Sequence, residues 1–113
     1  MDKDTKPPRV SDLGFYVLSA LVGAGLTGRH GYALIKEVQA GTGKLYTPPS
    51  LYDGIKELIK AGLAEEASRE TVSGRPRVYY RITPNGTEVY RRELRNREVA
   101  LTWAKGFAGV SHA

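Results

Sequence analysis

"RHGYALIKEV" (Arg29–Val38) and "SLYDGIKELIKAGL" (Ser50–Leu63) lie a short loop apart and decide how the whole chain is read. Each carries a tyrosine near its start, Tyr32 and Tyr52, followed by apolar residues at helical spacing. Leu34, Ile35 and Val38 make the inward stripe of the first. Leu51, Ile55, Leu58 and Ile59 make that of the second. "GTGKLY" between them reads as a loop, and Thr47 before Pro48 reads as an N-cap with proline at the first helical position. Gly62 is placed to stop the second helix. Two short helices this close form one docking unit.

Upstream, residues 1–10 ("MDKDTKPPRV") read as a flexible arm. "SDLGFYVLSALVGAGL" then opens on a capping Ser11 and Asp12 and predicts a helix apolar on two sides. Leu13, Tyr16, Val17, Ala20, Leu21 and Ala24 make one stripe. Phe15, Leu18 and Val22 make another, which suits a partner helix from a second subunit. "GLTGRHG" is a glycine-rich break.

Downstream, "LAEEASRETVSGRPRVYYRIT" predicts a β-hairpin turning between Val72 and Pro76, with Gly74 at positive φ. Alternation in the return strand sends Val78, Tyr80 and Ile82 to the core and Arg77, Tyr79 and Arg81 outward. Thr83 and Pro84 repeat the cap-plus-proline signal and open a last helix, expected to end near Lys105 and Gly106. Its narrow seam of Leu94 and Leu101, with Trp103 and Phe107 alongside, suits a dimer helix rather than core.

The order helix, helix, helix, hairpin, helix predicts a mainly α fold with a β-hairpin wing: a winged helix-turn-helix over residues 11–83, a C-terminal dimerisation helix over 84–106, and a flexible tail over 107–113. At 113 residues one domain is expected. With no cysteine and two histidines, His30 and His112, neither a metal site nor a cofactor is expected. No nucleophile or acid–base motif stands out, so no enzyme activity is expected. No apolar run suits a membrane span or signal peptide, and a cytoplasmic location is expected.

The net charge of +5 is unevenly spread. Seven arginines lie between Gly74 and Arg97, opposed by Glu88 and Glu93 alone. Arg91 to Arg97 read as a salt-bridged helix face, with Glu88–Arg92 and Glu93–Arg97 spaced i,i+4. The basic hairpin tip "SGRPR" instead suits a polyanion. The expected partner is therefore double-stranded DNA, read by the helix beginning at Ser50. Its contacts would be Ser50, Leu51, Tyr52 and Lys56, with phosphate taken by backbone N–H groups of the first turn. Tyr32 and Lys36 would act from the preceding helix, and Arg75, Arg77, Tyr79 and Arg81 from the wing. A protein-interaction adaptor that binds no DNA is the alternative reading.

Three segments together resemble PadR-type transcriptional regulators. "HGYALIKEV" is similar to the His-Gly-Tyr motif opening the family's second helix, and "PPSLYDGIKELIKAGLAEE" to its recognition helix. "GRPRVYYRITPNG" is similar to the wing and its exit. The resemblance spans about residues 13–86. It implies a dimeric winged helix-turn-helix repressor joined through the C-terminal helix, with Tyr32, Ser50, Leu51, Tyr52, Arg75 and Arg77 in DNA-facing roles. Pro49 and Gly54 depart from the family's usual small residue and alanine. Some relatives bind planar aromatic effectors at the dimer interface through a tryptophan on the last helix. That implies an effector site at Trp103 and Phe107; simple packing of the dimer seam is the alternative.

Overall fold

The computed structural model describes residues 10–111, with side chains as far as residue 108. Residues 1–9 of the expected arm (1–10) and His112 lie outside the described residues, while Val10, its last residue, packs against the core. Helix α1 runs Asp12–Ala24, strand β1 Arg29–His30, α2 Gly31–Thr42 and α3 Pro48–Lys60. Strands β2, Ala64–Val72, and β3, Arg75–Ile82, form the wing, and α4 spans Pro84–Ser111.

Helices α1, α3 and α4 each start where a hydroxyl can take an orphan N–H. Ser11 Oγ accepts from Gly14 N at 3.0 Å, Thr47 Oγ1 from Ser50 N at 3.2 Å and Thr83 Oγ1 from Gly86 N at 2.9 Å. Helix α3 stops as predicted: Leu63 N donates to Leu58 O and Gly62 N to Ile59 O, both at 2.9 Å, with Gly62 left-handed.

The core is the three-helix junction. Val17, Leu18 and Leu21 of α1 are fully buried against Leu34, Ile35 and Val38 of α2 and Leu51, Ile55 and Leu58 of α3. Leu63, Ala64 and Val89 close it from the wing and α4. Burying each large aliphatic side chain contributes about 2 kcal/mol. Leu18 therefore belongs to this chain's own core and is not free to form a dimer seam. Phe15 is likewise engaged within the chain: it stacks on Tyr90 at 5.3 Å, and the Arg97 guanidinium sits 4.2 Å over its ring. Both were assigned to a partner because a helical wheel shows sides, not which neighbour covers them. Ile59, assigned to the buried stripe, is partly exposed because it lies one residue beyond the face α3 turns to α1.

The glycine-rich break hides a third strand. Arg29 and His30 pair with Tyr80 and Tyr79, giving an antiparallel sheet ordered β1-β3-β2. The turn at Ser73 and Gly74 has positive φ at both residues, so the hairpin closes as a two-residue loop whose twist matches its strands. A bulge between Glu66 and Ser68 shifts the register of β2.

Helix α4 passes through Gly106 to Ser111 instead of ending there, so residues 107–111 are helix rather than loose tail. Its root is clamped to α1 by Arg97, 3.0 Å from Asp12 and 3.6 Å from Glu93. Glu88 pairs with Arg91 at 3.7 Å, an i,i+3 contact rather than the expected i,i+4. The distal half stands clear of the body, and residues 98–108 are all exposed.

Leu18→Ala should cost about 2–5 kcal/mol in urea unfolding, the cost of a cavity in a filled core. Gly86→Ala should cost on the order of 2 kcal/mol, because its Cβ would collide with the Leu63 carbonyl oxygen and crowd Ile82. A surface role for either position predicts changes below about 0.5 kcal/mol.

Candidate nucleic-acid interface

The start of α2, the start of α3 and the inner side of the wing enclose an open groove of about 430 Å³. Its lining includes His30, Gly31, Tyr32 and Tyr52 from the helices and Val72, Arg75, Pro76, Arg77, Val78 and Tyr80 from the wing. Tyrosines and a histidine make one wall, and the two arginines with the proline between them make the other. Tyr32 is 62% and Tyr52 39% exposed, more than a packing role alone would leave. The Lys36 ammonium lies 5.4 Å from the centre of the Tyr32 ring, one helical turn on. Lys56 lies on the solvent face of α3.

The start of α3 is not the open anion site expected from its N–H groups. Pro48 and Pro49 have none. Ser50 N is taken by Thr47 Oγ1, and Leu51 N by Thr47 O at 3.1 Å. Leu51 is also buried, so neither its side chain nor its amide reaches a ligand. What α3 offers at this end is side chains. The Ser50 hydroxyl accepts from Thr47 Oγ1 at 2.9 Å, which leaves its own proton to donate outward, and Tyr52 stands beside it.

The outward face of the sheet is also partly closed. Tyr79 donates its hydroxyl to Glu70 at 2.5 Å and packs edge-on against His30. Arg81 is held by Glu65 at 2.8 Å. The basic surface expected from Arg77 through Tyr79 to Arg81 therefore ends near the wing tip: Glu65 lies directly across from Arg81, and Glu70, across from Arg77, reaches diagonally to the Tyr79 hydroxyl. Opposite-charge cross-strand pairs hold a sheet together, and they cancel the charge a polyanion would seek.

Sequence reasoning placed Tyr80 in the core and overlooked His30 and Gly31. Tyr80 packs on the core at its base and lines the groove beyond it. Burial pushes its phenol above the usual range, helped by the nearby Tyr52 and Glu66 and eased by Arg69. Glu66 and Arg69 form a two-bond fork at 2.9 and 3.0 Å. That hydrogen bonding holds the exposed Glu66 carboxyl below its usual range and the Arg69 guanidinium above its own. His30 caps α2 through Nδ1, which accepts from Ala33 N at 3.3 Å. No group of three or more His, Cys, Asp or Glu residues that could hold a metal occurs among the described residues. No helix among them is long and apolar enough to cross a membrane.

A hairpin wing folded beside the second helix of a helix-turn-helix defines the winged-helix class. Residues 17–92 match the Transcriptional regulator PadR-like family, and the chain belongs to it. The fold agrees. A PadR family transcriptional regulator from Eggerthella lenta is similar at 28% identity, over 84% of this chain and 80% of that one, with a TM-score of 0.70. A PadR family transcription regulator from Clostridium difficile superposes with a TM-score of 0.73 at 17% identity, over 86% of this chain and 98% of that one. A PadR-like transcriptional regulator from Bacillus cereus does so at 0.71 and 21% identity, over 84% and 89%. No match was found among curated proteins. The family is one of transcriptional regulators.

Thr47→Ala should lower unfolding stability by about 1 kcal/mol, the usual cost of losing an N-cap. Thr47→Asp should restore most of it in thermal unfolding, and a shared loss in both variants would mean that the cap contributes nothing.

Proposed function

We propose that this chain is a sequence-specific DNA-binding repressor that works as a homodimer. The observation that carries this reading is the groove beside α3, with Arg75 and Arg77 on one wall and exposed tyrosines on the other. Helix α3 enters the major groove with Ser50, Tyr52 and Lys56 forward, while the wing follows the backbone. Tyr32 and Lys36 hold the flanking phosphates. Tyr79 and Arg81 are left with supporting roles, since their polar ends are already engaged by Glu70 and Glu65.

The dimer reading rests on α4. Leu94, Val99, Leu101, Trp103 and Phe107 are all exposed along it, and Val22 at the end of α1 joins them. A charged helix that carries an exposed apolar seam and stands off its own domain is stabilised by a second copy. Trp103 and Phe107 meet edge to face at 4.9 Å and 75°. Within a dimer they offer rings on which a planar aromatic effector can stack and so release the operator.

Anisotropy titration into duplex from upstream of the chain's own gene, against an unrelated duplex of equal length, tests the reading. Preferential binding to the first with a steep salt dependence is expected. Arg75→Ala and Arg77→Ala should each weaken binding to every duplex and reduce the salt slope by about 1. Tyr79→Phe and Arg81→Ala should change affinity by less than about twofold. Equal binding of both duplexes, or none at low salt, overturns the specific-repressor reading. Leu101→Glu should convert a sedimenting dimer to monomer, and a dimer that survives would remove α4 from the interface. Saturable quenching of Trp103 by aromatic cations supports the effector site, and none across a broad panel removes it.

A further inference from the structure

The first residue of α2 has no side chain where α3 comes closest to it. A Cβ on Gly31 would stand 2.5 Å from Cε1, 2.9 Å from Cζ and 2.8 Å from the hydroxyl oxygen of Tyr52. Gly31 is not at positive φ, so its backbone would accept any residue, and only space requires the glycine. The Tyr52 ring lies in that space, against the backbone of α2. Tyr80 reaches the same groove from the wing. Neither hydroxyl has a hydrogen-bond partner among the described residues, whereas the neighbouring Tyr79 hydroxyl is spent on Glu70. The Tyr80 oxygen is not sealed from solvent.

We infer that Tyr52 and Tyr80 form an uncharged subsite for one DNA backbone phosphate, with Gly31 as the positioning residue that seats Tyr52. The inference deepens the DNA reading above and rests on it. Helix α2, helix α3 and the wing each supply one wall of the subsite, so a phosphate held there fixes the three elements against the duplex at a single point. Such a contact sets the register of α3 without reading a base. The start of α3 is closed to phosphate at its backbone, which leaves hydroxyls to do this work. Tyr80, like any phenol, remains a donor throughout the neutral range. Two uncharged donors also differ from the arginines in a measurable way. A neutral hydrogen bond to phosphate adds affinity and releases no counterion, so its loss leaves the salt slope alone.

Anisotropy titrations at several salt concentrations test this with Tyr52→Phe, Tyr80→Phe, Gly31→Ala, Tyr52→Ala and the Gly31→Ala/Tyr52→Ala double variant. Each phenylalanine variant keeps its ring and should melt like the parent. Each should lose about threefold to tenfold in affinity for specific and unrelated duplexes alike, the worth of one neutral hydrogen bond. Their salt slopes should equal that of the parent, while Arg75→Ala flattens it. Gly31→Ala should lose affinity as Tyr52→Phe does, yet add nothing to Tyr52→Ala, because the clashing ring is gone. Parental affinity in Tyr80→Phe overturns the two-hydroxyl subsite. An equal penalty from Gly31→Ala with and without the Tyr52 ring overturns the positioning role. Both outcomes leave the DNA reading standing, whereas a parent protein that binds no duplex at low salt removes that reading and the subsite together.

Discussion

The backbone around Leu63 is the point on which the rest of the molecule hangs. Its N–H closes α3 on Leu58, and its carbonyl accepts from Thr83 N at 3.1 Å. Thr83 returns the contact by donating its hydroxyl to Gly62 O at 2.7 Å while accepting from Gly86 N. Gly86 lies so close on the Leu63 carbonyl that no larger residue fits. The end of α3, the start of β2, the end of β3 and the start of α4 thus meet within a few residues. The angle between wing and α3, and the direction in which α4 departs, are set there together.

That junction couples the two halves of the proposed function. The wing can face a duplex alongside α3 because both leave from Leu63. Helix α4 leaves from the same place and is then braced on α1, with Phe15 between Tyr90 and Arg97. In a dimer joined through α4, a change at the interface would reach the groove through this rigid root rather than through a loop. The aromatic clamp lies within one chain.

Charge in the wing is arranged by position rather than by amount. Arg75 and Arg77 line the groove near the turn, where the twist of a two-residue loop carries them toward α3. Farther from the tip, Glu65 holds Arg81 and Glu70 takes the Tyr79 hydroxyl. The wing is therefore basic at its tip and balanced at its base. In the proposed DNA complex phosphates would meet the tip, while the base serves as a structural sheet.

Local chemistry determined much of this chain by itself. Thr47 with Pro48, Thr83 with Pro84, and the Gly62 stop mark helix ends in the sequence because a cap involves neighbours only a few residues apart. The 3.6-residue stripes and the Gly74 turn are legible for the same reason, and so was the PadR-like pattern they compose. What the tertiary structure alone decided concerns partners far apart in the chain. The two-residue strand at Arg29 and His30 exists only because β3 offers it an edge, so "GLTGRHG" read as a break. Leu18 and Phe15 looked like seam residues until the neighbours covering them were known, and Leu51 looked like a contact until α1 closed over it. Tyr80 shares its alternation with core residues, and only the packed fold shows that it both rests on the core and lines the groove. Gly31 has no local reason to be glycine; the reason is the ring of Tyr52, twenty-one positions away, which packing brings against it.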